Sequence, residues 1–350
     1  MPTIDADAHV IETPKTWSYM SEDEQEFRPQ IFNRDESDGA PSNRRVDCWV
    51  LDGRLINKSN VGDDVPAEAR DMTDIQRRLD HMDEIGIDVQ ILFPTIFLRP
   101  LTKEHDVEMA LCRSYNRWLA DIWKQGNGRL RWAAVPPLMS LIDAARVREE
   151  LEFCKENGAC AIFMRGMECD RLLSHRYFFP LYEIAQDLDM PITLHAGIGS
   201  ASYHDLLPLD LGGALMIFKF PVISSFNSLL EMQIPERFPG VRWAFIETSA
   251  EWVPYVLGES RLRLARKGFR VSDDMLGDNN FYVTTQQTDH LHWLLGEIGD
   301  GSLIVGTDYG HQDTATEVEA LKRMAADGTV PSETTQKILN TNPTRLYALN

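Results

Sequence analysis

Short apolar runs and longer amphipathic stretches alternate along most of this chain. The short runs are Thr3–His9, Val89–Pro94, Leu130–Val135, Ala159–Phe163, Ile192–His195, Val241–Ile246, Phe281–Thr284 and Leu303–Val305. Their length and enrichment in β-branched and aromatic residues predict strands. Between most of them the apolar residues recur at helical spacing, predicting helices over Asp74–Ile85, Lys103–Gln125, Leu141–Glu156, Phe178–Leu188, Val222–Phe238, Ala250–Lys267, Asp289–Ile298 and Thr314–Ala326, with a last helix over Ser332–Tyr347. Strand–helix repetition implies parallel strands with helical crossovers. Eight such units predict an α/β fold of the (β/α)8 TIM-barrel type. No G-x-G-x-x-G turn follows any strand, which argues against an open doubly wound sheet.

Three stretches interrupt the rhythm. Residues 12–70 are polar and separate the first strand from the first helix, although Val46–Ile56 alternates enough for a small hairpin around Asp52-Gly53. Ala196–Pro221 follows the fifth strand, and Gly268–Asn280 precedes the seventh. In a barrel, loops after strands build the C-terminal face where active sites sit, and long ones serve as lids or binding segments. The expectation is one domain, 1–350, with 12–70 as an insertion or lid.

Chemically capable residues cluster where this fold would need them. Asp7 and His9 end the first strand and share a face, because residues two apart in a strand point the same way. His195 ends the fifth strand, Glu247 the sixth and Asp308 the eighth. These positions converge on one barrel mouth. Two imidazoles and two carboxylates (Asp7, His9, His195, Asp308) suit one divalent ion, Zn²⁺ first and Mn²⁺ second. The strand-four end, Ala161-Ile162-Phe163-Met164-Arg165-Gly166, offers no lysine to bridge a second metal. Glu247 is open to three roles: ligand, general base, or partner of His195. Candidate substrate contacts are Arg165, as a bidentate partner for a carboxylate, His311, and the mouth-side rings Phe97, Tyr203, His204 and Trp252. For Arg165 a structural ion pair is the competing role, and for His311 a loop anchor.

Composition narrows the partners. The chain has 350 residues, 35 Lys+Arg against 54 Asp+Glu, and a net charge of −19. That balance excludes nucleic acid and anionic membrane surfaces as partners, while leaving room for a locally positive site that takes a small anion. Five cysteines without CxxC spacing read as free thiols in a reducing, cytoplasmic setting. No basic-then-apolar leader opens the sequence, and no apolar run reaches the ~20 residues that span a bilayer.

Asp7-Ala8-His9, Leu194-His195-Ala196-Gly197, Gly306-Thr307-Asp308-Tyr309 and the closing Lys337-Ile338-Leu339-Asn340-Thr341-Asn342-Pro343-Thr344-Arg345-Leu346-Tyr347 together resemble the amidohydrolase superfamily. The similarity is to the branch of aminocarboxymuconate-semialdehyde decarboxylase and related non-oxidative aromatic decarboxylases, and it extends over nearly the whole chain. The resemblance implies a metal-dependent decarboxylase acting on a small aromatic or aromatic-like carboxylate, with Asp308 as both metal neighbour and proton donor. It also implies a homo-oligomer, a dimer or tetramer. Two departures stand out. Asp7 lies where the family has His or Glu, and Glu247 takes roughly the place of a His that assists decarboxylation. The second departure favours an alternative, hydrolysis of an amide, lactone or similar carbonyl by a metal-activated water.

Overall fold

The computed structural model describes residues 2–35, 45–58, 60–207 and 212–349. Eight parallel strands form one sheet in strict chain order: β1 (Ile4–His9), β2 (Val89–Phe93), β3 (Leu130–Ala134), β4 (Ala159–Arg165), β5 (Ile192–His195), β6 (Trp243–Ile246), β7 (Phe281–Thr285) and β8 (Leu303–Val305). Helices cross between them, as in a (β/α)8 barrel. The ring closes where the turn after β8 meets β1. Ala8 bridges Tyr309, His9 N donates to Tyr309 O at 2.8 Å, and Asp308 N donates to Asp7 O at 2.9 Å. Gly306 makes that approach possible, since a Cβ there would lie 2.2 Å from Asp7 Cβ.

Buried polar groups pin the same seam. Asp5 accepts from Gln90 Nε2 on β2 (2.9 Å) and from Thr307 N (2.9 Å) and Oγ1 (2.6 Å) after β8. Helix Ile75–Ile85 starts on Asp74, whose side chain caps Arg77 N, and stops at Gly86 in the left-handed region at φ 74°. It buries Arg78, whose Nε donates to Gln90 Oε1 (2.6 Å) and whose guanidinium lies 3.6 Å from the Tyr309 ring centre. A cation there is stabilised by the ring face and by the acceptors Gln90 Oε1, His9 O and Ala69 O.

The insertion after β1 holds the expected hairpin, Arg45–Leu51 with Arg54–Asn57. Its turn residues Asp52 and Gly53 are both left-handed (φ 48° and 68°), as a two-residue I′ turn requires. A third antiparallel strand, Gln30–Asp35, joins it; its mixed polarity hid it in the sequence. Trp49 and Ile56 pair across the hairpin and are buried. Elsewhere the predicted helix Val222–Phe238 is two pieces, Phe220–Glu231 and Ile234–Arg237, divided at Gln233 (φ 52°). The predicted helix Thr314–Ala326 is helical only over Ala320–Ala326, because Thr316 and Glu317 are recruited to the β8 turn. Ala214–Glu231 is apolar and long enough to cross a bilayer by composition alone, yet 44% of it is buried and Phe226 packs on Phe245 and Phe281 of β6 and β7. All five cysteines are unbridged.

Candidate metal centre

Three donor atoms, from Asp7, His9 and His195, meet at the barrel mouth, and the Asp308 carboxylate lies beside them next to His9. His9 Nε2 and His195 Nε2 are 3.1 Å apart, and Asp7 Oδ1 is 3.2 Å from His195 Nε2 and 3.4 Å from His9 Nε2. Asp308 Oδ1 is 3.4 Å from His9 Nε2. The other ring nitrogens fix the tautomers. His9 Nδ1 lies 3.1 Å from Pro94 O and His195 Nδ1 lies 2.8 Å from Ala196 O. A carbonyl only accepts, so each Nδ1 carries the hydrogen and each Nε2 presents a lone pair. Lone pairs and carboxylates facing each other at these distances need a shared positive charge. Edges of 3.1–3.4 Å are those subtended by donors about 2.0–2.2 Å from one Zn²⁺-type ion. The residues fit a divalent metal.

The electrostatics agree. Burial and His311 push the His9 imidazole down to about 3, its neutral, ligand form. Burial also opposes charge on Asp7, but His195 and His9 outweigh it and hold the carboxyl well below the usual range. For His195 burial lowers and Asp7 raises, with Asp7 prevailing. Asp7 is thus held ionised between the two imidazoles.

Two of the functional carboxylates sit on strained backbone. Glu247 (φ 63°) and Asp308 (φ 52°) are both left-handed, a conformation that non-glycine residues adopt mainly where surrounding structure imposes it. Asp308 Oδ2 accepts from Thr316 Oγ1 at 2.6 Å. Its Oδ1 lies 2.7 Å from His311 Nδ1 but off the line of a hydrogen bond, and both atoms lack a hydrogen-bond partner. His311 stacks on His9 with ring centres 3.7 Å apart. Its Nε2 is 2.8 Å from Thr95 Oγ1, whose own hydroxyl donates to Val10 O at 2.8 Å. Thr95 therefore accepts from His311 Nε2–H, and Nδ1 meets Asp308 as a lone pair unless one proton lies between them. Burial raises the Asp308 carboxyl to about 6, with His311 opposing. Burial, with Asp308 nearby, raises the Glu247 carboxyl well above its ordinary value; its Oε2 lies 3.2 Å from His195 Nδ1.

A cavity of about 1040 Å³ opens over this cluster, bounded on that side by Thr95, Ala196 and Glu247. Of the residues expected from the sequence, Asp7, His9, His195 and Asp308 come together, Glu247 joins their edge, and His311 backs Asp308. Of those six only Glu247 lines the large cavity, and Arg165, Phe97, Trp252 and Tyr203 do not line it. Arg165 is engaged by Glu168 through Nε (2.9 Å) and a second guanidinium nitrogen, and by Phe97 O, so the structural ion pair is what the fold shows. Phe97 faces a smaller cavity of about 290 Å³ beside it. Trp252 spends its indole N–H on Thr248 O and Ser249 O and packs on Phe226. Tyr203 lies on the short helix Ala201–Leu206, and its neighbour His204 takes the cavity-facing place. The wall is instead Trp49, Ile56 and Lys58 of the insertion, Arg99, and Leu215, Phe218 and Lys219 after β5. Glu12, buried on that wall and holding Thr95 N and Ile96 N at 3.0 Å, was also missed; a lone acid inside Val10-Ile11-Glu12 was the available signal. Thr316 left no signal.

A family model described as Amidohydrolase matches residues 4–349. No curated protein matches the sequence. Among solved structures, an amidohydrolase from Mycobacterium avium subsp. paratuberculosis K-10 is 18% identical, with a TM-score of 0.79 over 99% of both chains. The 5-carboxyvanillate decarboxylase of Sphingomonas paucimobilis is 15% identical, with a TM-score of 0.70 over 100% of this chain and 99% of that one. The dihydroxybenzoic acid decarboxylase of Polaromonas sp. JS666, with bound manganese and the inhibitor 2-nitroresorcinol, is 19% identical, with a TM-score of 0.66 over 100% and 97%. The structural likenesses share the barrel, and the family match runs from β1 to the last helix: this chain belongs to the amidohydrolase family.

Proposed function

We propose that this protein is a metal-dependent non-oxidative decarboxylase acting on a ring-bearing carboxylate. The observation that carries the reading is the Asp308–His311 pair, whose Oδ1 and Nδ1 lie 2.7 Å apart beside the donor cluster and which is fixed from behind by Thr95 and Thr316. Two of the barrels it resembles are aromatic decarboxylases by name. Asp7, His9, His195 and Asp308 would hold the ion, Zn²⁺ first and Mn²⁺ second, and its charge would neutralise a substrate carboxylate and an adjoining oxygen. The protein's own contribution is the proton. The Asp308–His311 pair delivers it to the ring carbon that bears the carboxylate. The bond from that carbon to the carboxylate then breaks, its electron pair restores the ring, and CO2 leaves; solvent returns a proton to the pair. Glu247, buried at the end of β6, supports a second reading, hydrolysis of an amide or lactone with Asp308 as base.

The test is to incubate metal-loaded protein with hydroxybenzoates in D₂O and, separately, with amides and lactones in H₂¹⁸O. Decarboxylation gives CO2 and a product carrying one deuterium on the vacated ring carbon. Incorporation of ¹⁸O from the second set without CO2 from the first would replace this reading with hydrolysis.

A further inference from the structure

The wall of the large cavity is supplied by segments outside the barrel, and its chemistry is that of a receptor for something larger than one ring. Its volume, about 1040 Å³, lies at the upper end of the ~300–1,000 Å³ of pockets that enclose drug-sized ligands. A single-ring carboxylate at the donor cluster would leave most of that space to water. The insertion sheet lays Trp49 and Ile56 on one side, and the segment after β5 lays Ile198, Leu215 and Phe218 on the other. Leu215 is 55% exposed although it faces the cavity. An apolar surface placed over a site and left open to water is the mark of a wall that a ligand covers. The same wall carries Lys58, Arg99 and Lys219 together with Glu12, Glu247 and Asp313, so its charged groups balance and its apolar faces set the shape of the ligand.

We infer that the site takes an aromatic carboxylate of two fused or linked rings, the carboxylate end at the metal cluster and the second ring between the insertion sheet and Leu215–Phe218. This rests on the decarboxylase reading for the orientation of the acid group. The closing experiment measures dissociation constants of the zinc-loaded protein by titration calorimetry for three probes: 2-hydroxybenzoate, 1-hydroxy-2-naphthoate and decanoate. The naphthoate binds about ten-fold tighter than the single-ring acid, the gain expected for burying one more apolar ring. Leu215→Asp lowers that preference by about five-fold while the metal content stays the same. A single-ring acid that binds as tightly as the naphthoate, or decanoate that binds more tightly, overturns the two-ring assignment and leaves the decarboxylase reading standing. Zinc-loaded protein that binds none of the three overturns both.

Discussion

Asp5 is not a metal donor, yet it is the residue through which the fold sets the donor geometry. It lies two positions before Asp7 and bonds Thr307, the neighbour of Asp308, so one carboxylate fixes both acidic ligand segments. Replacing it by alanine removes bonds from Gln90 Nε2 (2.9 Å), Thr307 N (2.9 Å) and Thr307 Oγ1 (2.6 Å), and leaves the Thr307 N–H only its longer bond to Asp7 O (3.1 Å). At roughly 1–1.5 kcal/mol per bond, loss of the three bonds makes Asp5→Ala cost about 3–4.5 kcal/mol. Urea unfolding of the metal-free protein reads that loss as a lower midpoint. Loosening Asp7 and Asp308 together also weakens metal binding by about 10–100-fold, the range for supports of metal ligands. Asp5→Asn adds a test of sign. Burial raises the Asp5 carboxyl from 3.8 to about 7, against the pull of Thr307 and Gln90. A raised acid stabilises the fold fully below about pH 4 and loses that contribution as pH rises to 7, a span of about 4 kcal/mol. Asparagine does not titrate, so the gap between wild type and Asp5→Asn is widest near pH 4 and narrows toward pH 8. A cost under about 1 kcal/mol for the alanine variant, or a gap that widens with pH, would refute the clamp.

The site and the β1–β8 seam carry four further expected outcomes. Protein stripped with chelator and dialysed against zinc takes up about one ion per chain by elemental analysis; His195→Ala abolishes that uptake, and full occupancy in the variant would remove His195 from the centre. Asp308→Asn lowers kcat by about 10²–10⁴-fold with metal retained, and substantial surviving turnover would deny it the proton. Because the donor form of Asp308 is lost as pH rises through about 6, decarboxylation falls on the alkaline side, and Thr95→Val moves that limb by freeing His311; an unmoved limb in the pH–rate profile counts against the relay. Gly306→Ala forces a methyl to 2.2 Å from Asp7 Cβ and destabilises the metal-free protein by about 2–3 kcal/mol, so a variant with wild-type melting would mean the β1–β8 seam has slack.

What was legible in the sequence divides along a physical line. The barrel strands announce themselves because a strand buried on both faces must be apolar along its length, and a His or Asp at the end of such a run is conspicuous. So Asp7, His9, His195 and Asp308 were readable as a set, even though β8 stops at Val305 and Asp308 stands three residues beyond it in a left-handed turn. The cavity wall was not readable. Trp49, Ile56 and Lys58 belong to an insertion whose direction over the mouth depends on sheet pairing far from the barrel, and Leu215 and Phe218 to a helix inside an apparent loop. Residues such as Phe97 and Trp252 attracted notice because aromatics follow barrel strands, yet nearby partners claim both: Trp17 and Tyr115 pack on Phe97, and main-chain carbonyls take the Trp252 indole. Strand ends are placed by the fold's own repeat, which periodicity records. Loop side chains are placed by their partners, which periodicity does not record. The donor set therefore follows from the barrel and the ligand wall from the insertions, so exchange of residues 45–58 between relatives of this fold should change which acid binds while leaving the metal in place.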